Sequence, residues 1–249
     1  MKNFLYQIRS DIRRLFVYPA LKTPPDFAVD YDVYWKARGR GGAAVSESLS
    51  LWQRARSDLA LKFIEPGSSV LDLGSGGGAV LEYLQERRHI RGIGVDASVS
   101  ALESLRAKGI EAIDCDISSD EAIQALPEVD HIIGFEILEH IPNPERLIYL
   151  LSPKAKKSFI FTFPNTGYYP HRLRLLFGRF PLQWVTHPGE HLRFWTVADV
   201  RSWVPQLHLH LKYLTTYQGL PFLNRLCPSL FGAGILFVAD TSVAVNSSK

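Results

Sequence analysis

The middle of the chain alternates short apolar runs with segments of helical periodicity. The runs are rich in Val, Ile, Leu and Phe, as expected of strands that are buried on both faces of a sheet. The segments between them repeat apolar residues at helical spacing, which is typical of helices packed on that sheet. We therefore predict an α/β fold with a doubly wound, mostly parallel sheet of seven strands. The predicted strands are residues 70–73, 92–96, 110–117, 129–135, 158–163, 208–217 and 234–239.

The alternation stops after the fifth predicted strand. Residues 164–195 lack a clear period, apart from a basic and apolar run over 171–180 that predicts a short helix. Irregular stretches of this length in compact domains are usually functional, and this one leaves the edge of the sheet where open α/β folds bind ligands. We interpret residues 164–195 as a cap segment on the substrate side. Thr196 then caps a predicted helix that runs to about Trp203.

The chain is expected to form a single domain. Its 249 residues and 46% apolar composition are enough for one full core. We divide it into an N-terminal part, residues 1–48, and a sheet domain, residues 49–245, that contains the cap segment. The net charge of +3 tolerates an anionic partner without demanding one. Cys115 and Cys227 show no metal or redox spacing, and we expect a cytoplasmic protein.

The N-terminal part has two notable features. An amphipathic helix is predicted over about residues 4–16, where arginines separate the apolar positions and interrupt any signal-peptide core. Such a helix usually packs on its own domain, but it can also lie on a membrane or a protein partner, and residues 1–18 are the candidate for that contact. Residues 31–42 are aromatic, basic and rich in glycine, which suits either a cofactor-covering loop or an ordinary surface loop.

A glycine-rich loop follows the first predicted strand. Residues 70–78 read as an apolar run, an acid at position 72 and glycines at positions 74, 76 and 78. A strand, a glycine loop and a helix together cradle nucleotides, and the spacing also fits a dinucleotide. Asp72 distinguishes between these possible ligands, because a carboxylate beside the loop repels a pyrophosphate and attracts a cationic ligand. S-adenosylmethionine carries an ammonium and a sulfonium and no phosphate, so it is the predicted cofactor.

This pattern resembles the class I S-adenosylmethionine-dependent methyltransferases, whose first motif is acid-x-G-x-G-x-G. The resemblance implies a Rossmann-like sheet that ends in an antiparallel hairpin. It also implies that Asp96 binds the ribose hydroxyls, that Asp116 accepts from the adenine amino group and that Ile117 packs on the ring, although each acid taken singly could be a solvated strand end. The predicted cofactor-binding residues are Asp72, Gly74, Ser75, Gly76, Gly78, Asp96, Ala97, Asp116, Ile117 and Phe135.

Candidate catalytic residues follow the fourth predicted strand. Glu136, Glu139 and His140 stand at i, i+3 and i+4, so a helical turn would bring them to one face beside the methyl group. The cap segment adds His191. A hydroxyl acceptor needs a base or a metal, whereas an amine or a thiolate needs less help. We predict Glu139, His140 and His191 as catalytic residues.

Glu-x-x-Glu-His with a later histidine resembles two metal-dependent groups, the ubiquinone-pathway O-methyltransferases and the small-RNA 3′-terminal ribose 2′-O-methyltransferases. By that resemblance Glu136, Glu139, His140 and His191 hold a divalent ion, and mixed carboxylate and imidazole ligands suit Mn²⁺, Fe²⁺ or Zn²⁺. Two alternatives stay open, because metal-free methyltransferases also carry Leu-Glu-His before a proline-containing turn. In those alternatives His140 is a general base or a local structural group.

A further resemblance, to the MetW-type proteins of methionine biosynthesis, covers residues 70 to about 240 and includes the Phe-Pro-Asn-Thr-Gly run at 163–167. That group is associated with supporting a homoserine acyltransferase, and its pattern lacks Glu-x-x-Glu-His. We predict methyl transfer to an oxygen of a small-molecule acceptor, with a non-catalytic partner protein as the alternative. A nicotinamide dehydrogenase is disfavoured because no tyrosine–lysine pair follows the fourth strand, and a nucleic-acid target because the basic surplus is small.

Overall fold

The computed structural model describes residues 49–183 and 188–240, together with residues 5, 8, 9, 11, 12 and 15–18. The predicted cofactor-covering loop, residues 31–42, and the end of the predicted sheet domain, residues 241–245, lie outside the described residues. Between positions 5 and 16 the described residues are helical, as their amphipathic pattern predicts. In the described part of the chain, no helix has both the length and the apolar character needed to cross a bilayer.

A seven-stranded sheet runs through the described chain, as the apolar runs predict. Its strands are β1 (Ser69–Leu73), β2 (Arg91–Asp96), β3 (Glu111–Asp114), β4 (Val129–Phe135), β5 (Ala155–Pro164), β6 (His210–Tyr217) and β7 (Gly234–Asp240). Their order is β3-β2-β1-β4-β5-β7-β6, and β1 to β5 pair in parallel. β7 lies antiparallel between β5 and β6, which confirms the predicted antiparallel end of the sheet.

Helices connect these strands. They are α1 (Leu51–Ala60), α2 (Ala79–Arg88), α3 (Val99–Ala107), α4 (Asp120–Gln124), α5 (Pro144–Leu151), α6 (Tyr169–Leu176), α7 (Val197–Gln206), α8 (Leu223–Leu226) and α9 (Pro228–Phe231). Local sequence explains where two of them begin. Ser50 and Gln53 form a capping box at α1, and Thr196 and Asp199 form one at α7. Each box pairs amide donors that the first turn of a helix leaves unsatisfied.

The sheet is buried on both faces, which is the property that makes it doubly wound. Successive residues of a strand point to opposite faces. In β5, Phe159, Phe161 and Phe163 belong to one hydrophobic cluster, while Ile160 belongs to the other. All four side chains are fully buried. Apolar residues at consecutive positions therefore each fill a core, in agreement with the runs seen in the sequence.

The strand order places a topological switch point between β1 and β4. From β1 the chain proceeds to β2 and β3 on one side, and β4 and β5 lie on the other side. Because these strands are parallel, their carboxyl ends share one edge of the sheet, with Leu73, Asp96 and Phe135 as the last residues of β1, β2 and β4. Open α/β sheets bind ligands at this position.

The two ends of the cap segment are pinned together above that edge. Asn165 follows β5 directly and forms an isolated parallel bridge with Trp195. The Asn165 amide group donates to the carbonyls of Ser229 and Gly232, at 3.1 and 2.8 Å. The Trp195 ring stacks on Phe163 with centroids 4.6 Å apart. The cap segment thus leaves and rejoins the sheet at neighbouring points.

Gly134 of β4 is expected to tolerate no side chain. A Cβ there would lie 2.5 Å from Cε1 of Phe161 and 2.8 Å from Cγ2 of Ile137. Gly134→Ala should therefore lower the free energy of unfolding by about 1–3 kcal/mol, the usual cost of overpacking. Gly92→Ala is the control, since its nearest contact would be 3.2 Å from a flexible Leu81 methyl group. Urea unfolding would measure both, and an equal effect of the two changes would contradict this packing argument.

Candidate cofactor and metal site

The glycine loop between β1 and α2 turns sharply at the carboxyl edge of the sheet. Gly74, Gly76 and Gly78 have φ values of 64°, 53° and 78°, in the region that favours glycine. The Gly74 amide donates to the Val95 carbonyl at 2.9 Å, which holds the loop against the end of β2. A Cβ on Gly76 would meet no atom within 4 Å. At Gly76 the loop therefore presents bare backbone to open space, as close approach of a ligand requires.

Asp96 lies beside this loop, at the end of β2. Its Oδ2 accepts from the Gly76 amide and its Oδ1 accepts from the Ser98 amide, both at 2.9 Å. The glycine loop and the β2 acid are thus held in one fixed arrangement. The sequence predicts ribose binding by Asp96, and the position at the sheet edge is the one that this role requires.

The other predicted adenine-side residues lie at the same edge. Asp116 follows β3 and its Oδ1 accepts from the amide and the hydroxyl of Ser118, at 2.9 and 2.7 Å. Ala97 is exposed and Ile117 is half-buried. Phe135, at the end of β4, is buried. Contact of these residues with an adenosine remains a prediction.

Asp72 is the buried acid of the loop. It is 3% exposed, and burial raises its pKa from 3.8 to about 8, against the lowering effect of Arg56 and with a smaller increase from Asp96. The Ser75 hydroxyl is also buried, and it has no hydrogen-bond partner in the described chain. Buried polar groups are normally paired. The pair therefore fits a ligand that brings a cation and hydrogen-bonding groups to the loop.

Asp72→Asn is expected to stabilise the free protein at alkaline pH. The folded-state pKa of Asp72 lies near 8, above its ordinary 3.8, so the stability linked to its protonation is complete below about pH 4 and is lost as pH rises to about 8. Asparagine does not titrate, so the variant should match the wild type near pH 4 and exceed its melting temperature by several degrees near pH 8.5, at roughly 2–4 °C per kcal/mol. Thermal unfolding across this pH range measures the difference.

Asp130→Asn is the control for that experiment because its shift has the opposite sign. The Ser69 amide, at 2.9 Å, lowers the pKa of Asp130. Its carboxylate therefore stabilises the fold above its ordinary pKa, and this stability is lost as pH falls. Asp130→Asn should destabilise the protein at neutral pH, with a smaller effect in acid. A parallel response of the two variants would refute the assignment for Asp72.

The turn after β4 packs directly on the glycine loop. A Cβ on Gly74 would lie 2.8 Å from Cδ1 of Ile137, and a 3₁₀ turn, Leu138–His140, follows. The backbone carbonyl of Glu139 accepts from the amides of Leu192 and Arg193, at 2.7 and 3.2 Å. These two hydrogen bonds bring the end of the cap segment against the turn.

Glu139, His140 and His191 meet at this junction. One ligand atom from each lies within 4.8 Å of those of the others, and the two imidazole rings lie edge to face with centroids 4.8 Å apart. His191 is fifty-one positions after His140 in the sequence, and the carbonyl of Glu139 is what brings them together. The structure therefore assembles three of the four residues that the sequence predicts as metal ligands.

Glu139 has an environment that is costly for a carboxylate alone. It is 1% exposed, and neither of its carboxylate oxygens has a hydrogen-bond partner in the described part of the chain. Burial, and then the nearby charge of Glu136, raise the pKa of Glu139 well above its ordinary value. A divalent ion would supply the missing positive charge, and it would coordinate these oxygens in place of hydrogen-bond donors.

His140 is held in one tautomer. Its Nδ1 lies 2.5 Å from the backbone carbonyl of Glu190, and since a carbonyl only accepts, Nδ1 carries the proton. The lone pair is then on Nε2, 4.0 Å from Oε1 of Glu139. Metal-ligating histidines commonly have this arrangement, in which a carbonyl fixes the opposite nitrogen. It serves a general base equally well.

The expectation that Glu136 shares a helical face with Glu139 and His140 is wrong. Glu136 has a φ of 60°, and the 3₁₀ turn begins only at Leu138. Its Oε1 accepts from the hydroxyls of Tyr217 and Thr162, at 2.8 and 3.3 Å. Backbone outside the helical region therefore directs this carboxylate to a different set of partners, and the ligand cluster forms without it.

The groups that surround Glu136 were not predicted from the sequence. Arg56 of α1 is 7% exposed, and its NH1 lies 3.7 Å from Oε1 of Glu136. Its guanidinium also lies over the Phe135 ring, 5.4 Å from the centroid. Burial and the charge of Glu136 raise the pKa of Tyr217 well above its ordinary value. One signal was available, because Arg56 interrupts the apolar face of α1, between Trp52 and Leu59.

Comparison with known proteins identifies the family of the chain. Residues 54–238 match the family of methionine biosynthesis protein MetW. The chain is 28% identical over 165 residues to a bifunctional methionine biosynthesis protein MetXA/MetW of Rhodopirellula baltica, a match that covers 60% of this chain and 26% of that protein. It is 35% identical over 95 residues to a ubiquinone biosynthesis O-methyltransferase of an Azoarcus species, covering 36% and 40%. A ubiquinone biosynthesis O-methyltransferase of Hahella chejuensis is 31% identical over 137 residues, covering 44% and 56%. The chain thus spans about a quarter to a half of the length of these relatives.

Solved structures show the same fold. An S-adenosylmethionine-dependent methyltransferase of Archaeoglobus fulgidus superposes with a TM-score of 0.61 and 18% identity, over 85% of this chain and all of the other. Magnesium protoporphyrin IX methyltransferase of Synechocystis PCC 6803, solved with bound SAH, gives a TM-score of 0.56 and 16% identity over 96% of each chain. The fold is that of the class I S-adenosylmethionine-dependent methyltransferases. By its matching residues, the chain belongs to the MetW family.

Proposed function

We propose that the protein transfers a methyl group from S-adenosylmethionine to a hydroxyl oxygen of a small-molecule acceptor, with a divalent ion held by Glu139, His140 and His191. The observation that carries this proposal is the buried carboxylate of Glu139, which lies beside two histidines and has no hydrogen-bond partner among the described residues. Its position against the glycine loop supports it, since the turn that holds Glu139 packs on Gly74. The ubiquinone O-methyltransferase relatives favour an oxygen acceptor.

In this proposal the cofactor lies along the carboxyl edge of β1, β2 and β3. Asp72 and the Ser75 hydroxyl bind its cationic amino acid portion, and Asp96 binds the ribose. The bare backbone at Gly76 leaves the space that the cofactor needs. Ala97, Asp116, Ile117 and Phe135 surround the adenosine.

The acceptor approaches from the cap side. The acceptor hydroxyl loses its proton to solvent, and its oxygen attacks the methyl carbon in line with the carbon–sulfur bond. The oxygen–carbon bond forms as the carbon–sulfur bond breaks, and the cofactor leaves as a neutral thioether. When bound, a divalent ion supplies the Lewis acidity that lowers the pKa of an acceptor hydroxyl. The chain contributes the orientation of His140 through the Glu190 carbonyl. It also contributes the shielding of Glu139 from water.

Formation of S-adenosylhomocysteine tests this proposal. The protein would be incubated with S-adenosylmethionine and matched series of catechols, aromatic amines and thiols, with Mn²⁺ or Mg²⁺ and with a chelator. The proposal predicts turnover with catechols that the chelator removes and Mn²⁺ restores. Turnover with amines alone, unaffected by the chelator, would contradict both the oxygen acceptor and the ion.

A non-catalytic partner role is the second candidate, and the MetW family match favours it. The relative of Rhodopirellula baltica is bifunctional, and the match covers only 26% of it. This candidate predicts cofactor binding without turnover, together with a stable complex with a biosynthetic enzyme. Co-purification with a homoserine acyltransferase, combined with no product from any acceptor series, would select it over methyl transfer.

A further inference from the structure

Exposed large apolar side chains concentrate on one part of the described surface. Of the sixteen such residues, eleven belong to three segments, the N-terminal helix region, the cap helix α6 with its following turn, and the α8–α9 region. Contiguous exposed apolar surface of this kind marks an interaction site. The eleven residues are Leu5, Ile12, Phe16, Val17, Tyr18, Leu175, Leu176, Phe177, Phe180, Phe222 and Leu226.

Polar contacts fix the N-terminal helix on the cap helix. Asp11 is 1% exposed and accepts from the hydroxyls of Tyr168 and Tyr169, at 2.8 and 2.9 Å. These bonds direct the Asp11 side chain inward, towards the cap helix. Ile12 and Phe16 remain 52% and 63% exposed. Apolar side chains of this helix are therefore exposed, while Ile8 and Leu15 are half-buried.

Arginines bind the end of that helix to the cap. The Arg174 guanidinium donates to the carbonyls of Leu15 and Val17, at 3.2 and 3.3 Å, and Arg179 donates to the Phe16 carbonyl at 2.7 Å. The exposed side chains of the N-terminal helix and of α6 thus belong to one continuous body.

The α8–α9 region is attached to the same body. Tyr169 of α6 contacts the Phe231 ring with centroids 5.9 Å apart. Asn165, just before α6, donates to carbonyls on either side of Phe231. Phe222 and Leu226, 77% and 80% exposed, extend the apolar surface from this region.

These three segments carry a net positive charge. Their described residues include a single acid, Asp11, and five arginines, which are Arg9, Arg172, Arg174, Arg179 and Arg225. The one acid is buried and paired with two tyrosines. Basic residues, Arg9, Arg172 and Arg179 among them, are exposed beside the apolar side chains.

We propose that this surface docks on a bilayer that contains anionic lipid. Apolar side chains enter the interface between headgroups and acyl chains, while the arginines contact lipid phosphates. A flat bilayer that carries negative charge matches a surface that combines exposed Leu and Phe with exposed arginines. The proposal does not depend on methyl transfer, since it uses neither the glycine loop nor the ligand cluster.

Vesicle co-sedimentation tests the proposal. The full chain would be mixed with phosphatidylcholine vesicles that contain about a third phosphatidylglycerol, and with pure phosphatidylcholine vesicles. We expect sedimentation with the anionic vesicles, and at least about tenfold weaker binding to the neutral ones. The double change Phe177→Glu and Phe180→Glu should reduce binding to anionic vesicles by about tenfold or more. Arg9→Glu should reduce it less.

Tyr149→Glu is the matched control, because Tyr149 is 76% exposed on α5 and outside the three segments. It should bind vesicles as the wild type does. Cofactor titration and circular dichroism of each variant show that the fold and the cofactor site are intact, so a failure of docking is distinguishable from a failure of the proposed function. No sedimentation of the wild type, or equal sedimentation of the Phe177/Phe180 variant, would overturn the proposal. A dimer that this variant dissociates, without vesicle binding, would instead assign the surface to a second copy of the chain.

Discussion

Asp72→Asn is expected to weaken S-adenosylmethionine binding on the order of 100-fold, the effect of removing a charge-assisted hydrogen bond from a buried site. Asparagine keeps the shape of the side chain and removes its negative charge. The change is therefore specific for the attraction between the carboxylate and the cationic cofactor. Isothermal titration measures it, with Asp130→Asn as the control because Asp130 lies at the start of β4, at the opposite edge of the sheet.

The same titration has a pH dependence with a defined sign. The pKa of Asp72 in the free protein is about 8, so at lower pH the cofactor must displace a proton from it. Affinity should rise as pH increases from 6 to 8 and should level off above 8. Asp72→Asn provides the baseline for any titration of the cofactor itself. A wild-type slope no steeper than that of the variant would contradict the role assigned to Asp72.

Glu139→Gln is expected to lower the affinity for Mn²⁺ by at least about 100-fold, because it removes the charged ligand of the cluster. The matched control is Glu136→Gln, three residues earlier in the chain. The carboxylate of Glu136 accepts hydrogen bonds from Tyr217 and Thr162. The control variant should retain Mn²⁺ binding. Electron paramagnetic resonance of free Mn²⁺ reports both affinities.

That pair of variants also tests the geometry of the turn. If Glu136→Gln loses Mn²⁺ as Glu139→Gln does, the four-residue ligand set implied by the sequence resemblance is restored. If neither variant changes the affinity, His140 with Nε2 unprotonated becomes a general base and the ion is excluded from this cluster. Retention in one and loss in the other supports the three-residue site.

The fold was predictable because its signal is periodic. β4 runs over residues 129–135, the limits that its apolar run predicts. The third strand is shorter than predicted, Glu111–Asp114 in place of 110–117. The reason is local, since Asp116 accepts from Ser118 and closes a turn where the apolar pattern still continued.

The site was predictable only where motif spacing carried it. The glycine loop, Asp72 and Asp96 lie together at the sheet edge, as strand–loop–helix spacing implies. The position of Glu136 was not predictable, because a single residue with positive φ ends the helical relation on which the expectation depended. Arg56 and Tyr217 reach Glu136 from α1 and β6, and contacts between such distant segments leave no local period in the sequence.

The cap segment was also only partly predictable from the sequence. It was predicted to lie on the substrate side, but Trp195 stacks on Phe163 in the core and Tyr168 donates a hydrogen bond to Asp11 of the N-terminal helix. Phe177 and Phe180 are instead exposed. Composition identified the segment as unusual, whereas the direction of each ring depends on tertiary contacts.

Metal-assisted methyl transfer at this site is tested most directly by a crystal structure of the protein grown with S-adenosylhomocysteine and Mn²⁺. Data would be collected for the anomalous signal of manganese. We expect nucleoside density beside Asp72, Gly76 and Asp96. We also expect an anomalous peak about 2.0–2.4 Å from ligand atoms of Glu139, His140 and His191. A nucleoside at the glycine loop with no anomalous peak in this cluster would contradict the metal-assisted mechanism, and an empty glycine loop would contradict the methyltransferase assignment itself.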